Sequence, residues 1–360
     1  MTNHRSCSLF LAALFIAAGV SARAGAQTAS DLGITVRRIS PRVAVVNAGP
    51  WNNSYLALST EKGVVVVDSG FSKTIAKTVR EAIRVEFKRN DFAYLINSHE
   101  HSDHLFGNGA YSDIAIVGSD LLRAAVLQMK SDPTIIASRL EIPKRSLALA
   151  QEQLVRSDTK AVKDPRFAQD ERFWKTVQAD YAAGVELLPP TIVFDRRLTL
   201  ELGDMSVHLF SFGQWHSSAD TVVSVPEENL VRMGAIFSPD LLPVIKFPNE
   251  PNEVLTADVV NNWIGVFHEV LSEANDKTQF ISCHGWSLMT KAQVAQDAAY
   301  VEKLWNEVRM AKAAGKTLEQ AKQATRRAEL FPELAGLKDE AYGIPSIHQR
   351  NVEMLWDATP

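Results

Sequence analysis

Residues 97–104 read Asn-Ser-His-Glu-His-Ser-Asp-His. His99 and His101 stand two apart, and Asp103-His104 completes the pattern His-x-His-x-Asp-His. Imidazole and carboxylate are the usual ligands of zinc and related divalent ions. A spacing of two does not fit one face of a helix, but a loop leaving a strand end can aim such side chains at one point. The apolar run "FAYLI" (92–96) immediately precedes the loop, and Gly107-Asn108 turns the chain after it. A merely solvated, His-rich turn would require neither neighbour.

One loop cannot fill two coordination spheres, so further ligands must come from other loops at the same sheet edge. Two histidines qualify. His216 stands between two strand-like runs in "FGQWHSSADTVV", and His284 ends one in "TQFISCHGW". His208 falls within a strand and His268 within a helix, while His4 and His348 lie near the chain ends; all four read as structural or solvated. Glu100 and Ser102 read as spacers that turn away. Cys283 reads as a small packed side chain, because neighbours on a strand point to opposite faces and it should not meet His284. Ser59-x-x-Lys62 matches a nucleophile motif but sits in a turn between strands rather than opening a helix.

These loops need strands to carry them. From Ile34 to Val67 the chain is a series of short β-branched runs ending in "GVVVVDSG". Ile75, Val79, Ile83 and Phe87 then recur every four residues, as on a helix. About 119–186 the pattern turns wholly helical, which predicts an inserted helical segment closed by Pro189-Pro190. Strands return from "TIVF" to "NLVRMGAIF", followed by a helix over about 254–273 and a helical extension over about 289–360. Two strand-rich halves, each followed by helices, predict two sheets face to face with helices outside.

The first 26 residues stand apart. Arg5 precedes the apolar run Leu9 to Val20, and Ala22-x-Ala24 and Ala24-x-Ala26 offer cleavage sites. This predicts a secretory signal peptide over 1–26, a domain over 27–360, and a periplasmic or secreted destination. The apolar run is too short to span a bilayer, so no stable membrane insertion is expected once the leader is removed. The full chain carries a net charge of −4; without Arg5 and Arg23 it has 36 basic and 42 acidic residues, a net charge of −6. That balance disfavours nucleic acid and anionic lipid and leaves a small-molecule substrate as the expected partner. Only Cys283 survives leader removal, so no intramolecular disulfide is expected.

The stretches "GVVVVDSG", "HEHSDHLFGN", "GQWHSSAD" and "SCHGW" look like the successive motifs of the metallo-β-lactamase superfamily, in the family's order over residues 63 to 286. The resemblance implies a four-layer αββα sandwich with two metal positions at one sheet edge. Carried over by position, His99, His101 and His216 would hold one zinc ion, and Asp103, His104 and His284 a second; a single ion is the other occupancy. Asp68 would brace the loops from behind, keeping the ligands oriented and basic.

One position departs from the family. Many superfamily hydrolases place an aspartate that bridges the metals, and one β-lactamase group a cysteine, where this chain has Ala235. Asp240, five residues on, is the nearest replacement. A β-lactamase subclass also lacks the bridge and uses Asp, His and His at the second site, as here. The expectation is an exported zinc-dependent hydrolase that opens a cyclic amide or ester, β-lactam-like, by attack of metal-bound hydroxide oriented by the catalytic Asp103. Trp51 and Trp215 are candidate pocket walls, and Ser238 a candidate substrate contact. A periplasmic lactone, ester or sulfur-compound hydrolase is the alternative, and a metal-binding accessory protein with little turnover the alternative of another class.

Overall fold

The computed structural model describes residues 28–158, 164–234, 238–245, 254–341 and 344–360. The signal peptide expected over 1–26 and Ala235 lie outside these residues. Strands β1 (Thr35–Arg38), β2 (Val43–Ala48), β3 (Asn53–Thr60) and β4 (Gly63–Val67) form an antiparallel meander. To its edge β5 (Phe92–Ile96), β6 (Ala115–Ser119) and β7 (Ile192–Phe194) add in parallel, completing seven strands. The second sheet has six strands in the order β13-β12-β11-β10-β9-β8. These are β8 (Arg197–Glu201), β9 (Ser206–Gly213), β10 (Asp220–Val225), β11 (Leu230–Arg232), β12 (Gln279–Ile281) and β13 (Leu288–Thr290).

The central strands of the first sheet are apolar on both faces because both are covered. Side chains alternate across a strand. Val46, Ala57, Val64 and Val66 therefore face α1 (Lys73–Phe87), which packs Ile75, Val79 and Ile83 against them. Their neighbours Val45, Leu56, Leu58, Val65 and Val67 interdigitate with Leu209, Val223 and Ile281 between the sheets. The one-turn helix α2 (Ser102–Leu105) closes the histidine loop. Beyond the second sheet lie α7 (Ala257–Glu273) and α8 (Lys291–Ala313), with α9 (Leu318–Ala324), α10 (Arg327–Leu330) and α11 (Ile347–Ala358) behind them. The layers are αββα.

Between β6 and β7 run α3 (Asp120–Ser131), α4 (Pro133–Leu140), α5 (Ile142–Asp158) and α6 (Pro165–Ala183). Asp132 and Asp164 accept backbone bonds at the starts of α4 and α6, each just before a proline in the first turn. Helix α6 lies along α1, where Phe173 and Trp174 pack edge-on against Phe71. Two boundaries differ from the sequence reading. The strand expected through "NLVRMGAIF" is described only over Leu230–Arg232. The helix expected from about 254 begins at Ala257, because the Thr256 hydroxyl caps it by accepting from Val259 N. Among the described residues no helix is long and apolar enough to cross a membrane.

His348 on α11 is buried. Its Nε2 donates to Thr325 O at 2.6 Å, which leaves Nδ1 to accept from Tyr300 OH at 3.1 Å. Burial lowers its pKa below the ordinary 6.5, although the bond to Thr325 opposes this. A depressed histidine must gain a proton on unfolding, so its contribution is present above pH 6.5 and is lost as pH falls towards the folded value. Urea midpoints should fall below pH 6.5, and His348→Gln should flatten that slope; equal slopes in the two proteins would refute the assignment.

Candidate metal centre

The loop after β5 is built as a hub. Asp68, just past β4, adopts a left-handed backbone (φ 69°) and is fully buried. Its Oδ1 accepts from Ser98 N at 2.8 Å; its Oδ2 accepts from Ser98 Oγ at 2.9 Å, His104 Nδ1 at 3.0 Å and Arg232 Nη2 at 2.6 Å. Burial pushes the Asp68 pKa up, but Arg232 and His104 outweigh it and hold the group at about 2. An ionised Asp68 orients two imidazoles. His104 donates from Nδ1 to Asp68, and although burial opposes it, Asp103 and Asp68 hold the His104 pKa well above the ordinary value, so a cation at Nε2 would take the place of a proton there. Ser98 spends its proton on Asp68 and therefore accepts from His99 Nδ1 at 2.8 Å, leaving the lone pair on His99 Nε2.

His99, His101 and His216 bring ligand nitrogens within 4.8 Å of one another. His99 Nε2 is buried and has no hydrogen-bond partner. Burial first, and the surrounding imidazoles second, hold its pKa well below the ordinary value, so the ring is neutral. On the other side of the hub, Asp103 Oδ2 lies 3.2 Å from His104 Nε2 and 3.5 Å from His284 Nε2. His284 Nδ1 meets the carbonyl of Trp51 at 2.8 Å, which turns Nε2 inward. A buried, neutral imidazole nitrogen without a donor at His99, among further imidazoles and a carboxylate, suits a divalent cation. The donor set fits a divalent-metal centre.

Several residues that hold this arrangement were not singled out from the sequence. Asn53, opening β3, donates to Asp103 Oδ2 at 2.7 Å. Asp220, opening β10, accepts three backbone N–H bonds at Oδ2, from Trp215 (3.1 Å), His216 (2.8 Å) and Ser217 (2.7 Å). Glu100 is buried rather than an idle spacer. It takes bonds from Ser217 Oγ, Ser218 Oγ and Ser218 N, tying the first histidine loop to the one carrying His216. Burial and the Glu100 charge push Asp220 up to about 7. From the inserted helices, buried Arg139 donates to Glu100 O at 2.7 Å. The only sequence signal for any of these was position, since Asp220 and Glu100 sit inside quoted motifs.

The superfamily model for metallo-β-lactamases matches residues 49–257, more than half of the chain. The chain belongs to the metallo-β-lactamase superfamily. Among solved structures, the inverting sec-alkylsulfatase Pisa1 from Pseudomonas sp. aligns over 90% of this chain and 50% of its own, at 13% identity and a TM-score of 0.59. The chain thus spans half the length of that sulfatase. A β-lactamase domain protein from Burkholderia ambifaria aligns over 93% of this chain and 88% of its own, at 14% identity and a TM-score of 0.53. Both similarities show the fold. No curated protein sequence matches the chain.

Three expectations for this superfamily member, on Trp215, Ser238 and Cys283, need correction, and Asp240 answers an open question. Trp215 is no pocket wall, because it is 2% exposed and packs on Trp263 and Phe267 of α7. Ser238 points its hydroxyl at Asp240 rather than at the histidines. Asp240 does not replace the residue missing at 235, since its carboxylate is 60% exposed and pairs with Lys338 at 2.8 Å. Cys283 does meet His284: strand alternation stops at Ile281, and the sulfur lies with the ligand nitrogens of His104 and His284, all within 4.8 Å. Trp51 is half-buried, edge-on to Phe71 and Trp174 at 5.1 and 5.6 Å, beside His284.

Proposed function

We propose that this superfamily member is an exported zinc hydrolase that opens a cyclic amide or ester of the β-lactam kind. The observation carrying the reading is the division of donors into His99/His101/His216 and Asp103/His104/His284 across one hub, Asp68. Bound there, divalent ions would supply Lewis acidity and a water acidic enough to ionise near neutral pH. The chain's own contribution is orientation. Asp68 and Ser98 hold His99 and His104 in the tautomers that present Nε2. Asn53 steers the Asp103 carboxylate, which orients the attacking water. Trp51 offers an apolar wall beside His284 for the body of a small-molecule substrate. Residues 1–26 would deliver the enzyme to the periplasm or beyond, as their charge and apolar pattern suggest.

A sulfate ester, lactone or simple ester is the second reading. It is favoured by the alignment of 90% of this chain with a sec-alkylsulfatase. One panel separates the readings. The zinc-loaded protein is assayed with a chromogenic cephalosporin, a lactone, an aryl ester, a thioester and a secondary alkyl sulfate. Chelation should abolish turnover and zinc restore it. His101→Ala should lower bound metal by about one ion per chain and reduce turnover to background. Wild-type protein that takes up no divalent metal would sink the ligand assignment, and turnover of the sulfate alone would replace the first reading with the second.

A further inference from the structure

We infer that Cys283 is itself a ligand of the second metal, making that site Asp/His/His/Cys and supplying the donor that Ala235 cannot. The inference rests on the metal-centre reading above and extends it. Cys283 is fully buried, and its Sγ lies within 4.8 Å of the ligand nitrogens of His104 and His284. His104 Nε2 is buried, and the group it meets is the carboxylate of Asp103. Asp103 Oδ2, 3.2 Å from His104 Nε2 and 3.5 Å from His284 Nε2, makes the fourth donor. Four donors of this kind complete a tetrahedral zinc sphere.

The sulfur also stands in a telling place. Cys283 Sγ donates to Gly234 O at 2.8 Å, the carbonyl immediately before Ala235. A side chain on β12's exit therefore reaches the segment from which a bridging carboxylate or thiolate comes in superfamily members that have one. The backbone allows this because Ser54 N holds Cys283 O at 2.9 Å and Gly285 N holds Asn52 O at 2.6 Å, so residues 282–285 leave strand geometry and turn inward. Coordination breaks the S–H bond and forms a metal–sulfur bond; the proton now directed at Gly234 O leaves to buffer, one per ion bound. Thiolate makes the site prefer softer ions such as zinc over manganese or magnesium.

X-ray absorption on the full-length, zinc-loaded protein should show a sulfur shell at about 2.3 Å. Cobalt-loaded protein should show a near-ultraviolet thiolate-to-cobalt charge-transfer band, retained in Cys7→Ser and lost in Cys283→Ser. In Cys283→Ser the second ion should bind more weakly by at least the roughly 10–100-fold that losing an outer partner costs. Metal bound with only nitrogen and oxygen neighbours would overturn the proposal while leaving the metal centre standing. A band lost in Cys7→Ser but kept in Cys283→Ser would assign it to the wrong cysteine and overturn it equally. Failure to bind any divalent ion would remove the centre and the proposal together. If Cys283→Ser does not fold, the wild-type absorption spectrum decides alone.

Discussion

Asp68→Asn should lower metal affinity by roughly 10–100-fold and destabilise the fold by about 3–5 kcal/mol. Asparagine tolerates the left-handed backbone of position 68 as well as aspartate does, so the substitution probes the carboxylate alone. All four groups that meet Asp68 are donors: Ser98 N, Ser98 Oγ, His104 Nδ1 and Arg232 Nη2. An amide placed with its oxygen at Oδ2 sets its NH2 against the Ser98 N–H. Arg232, with no exposed side-chain surface, keeps its charge but loses the anion it touches. Metal titration and denaturant unfolding measure the two losses. The double variant Asp68→Asn/Arg232→Met should recover stability but not affinity, because it removes the stranded charge without restoring the tautomers. Recovery of both would mean that Asp68 acts only as a counter-ion. The depressed pKa also sets a window: the Asp68 contribution is complete above about pH 4 and disappears as pH falls through about 2.

Asp220→Ala should detach the loop bearing His216, whereas Asp220→Asn should be tolerated. Alanine leaves the N–H groups of Trp215, His216 and Ser217 buried without an acceptor, at an expected cost on the order of 3 kcal/mol or more. Asparagine keeps that acceptor at Oδ2. The reason its NH2 also fits is a proton count. Ser217 Oγ stands 2.7 Å from Asp220 Oδ1 and 2.8 Å from Glu100 Oε2, and one hydroxyl proton cannot serve both carboxylates. The second proton belongs to Asp220, whose pKa burial and Glu100 raise to about 7. An amide donor at Oδ1 reproduces that state. The alanine variant should lose about one metal ion and most activity, with the asparagine variant close to wild type. Equal damage in both would show that Asp220 acts as an anion.

The sheets and the ligand loops were legible because their signals are local. "GVVVV" and "FAYLI" are long enough to announce buried strands, and His-x-His-x-Asp-His is compact. What escaped the sequence is long-range. Glu100 meets Ser218 118 positions away, and Arg232 meets Asp68 164 positions away. Strand alternation misplaced Cys283 because it was extended two residues past the point where β12 ends. Trp215 was misplaced for the opposite reason: its neighbour His216 turns to the cluster, so the tryptophan ring is directed into the core beneath α7.

The donors come from both sheets, His99 to His104 from the first and His216 and His284 from the second. An ion shared between them is then a cross-link closing a chain loop of more than a hundred residues. That is the topological role a disulfide plays in many proteins, and this chain has only two cysteines, Cys7 and Cys283. Unlike a disulfide, the link is reversible and its strength follows the free-ion concentration, adding RT ln(1 + [M]/Kd) to the folded state. The durability of this sandwich is thereby coupled to the supply of metal in its surroundings.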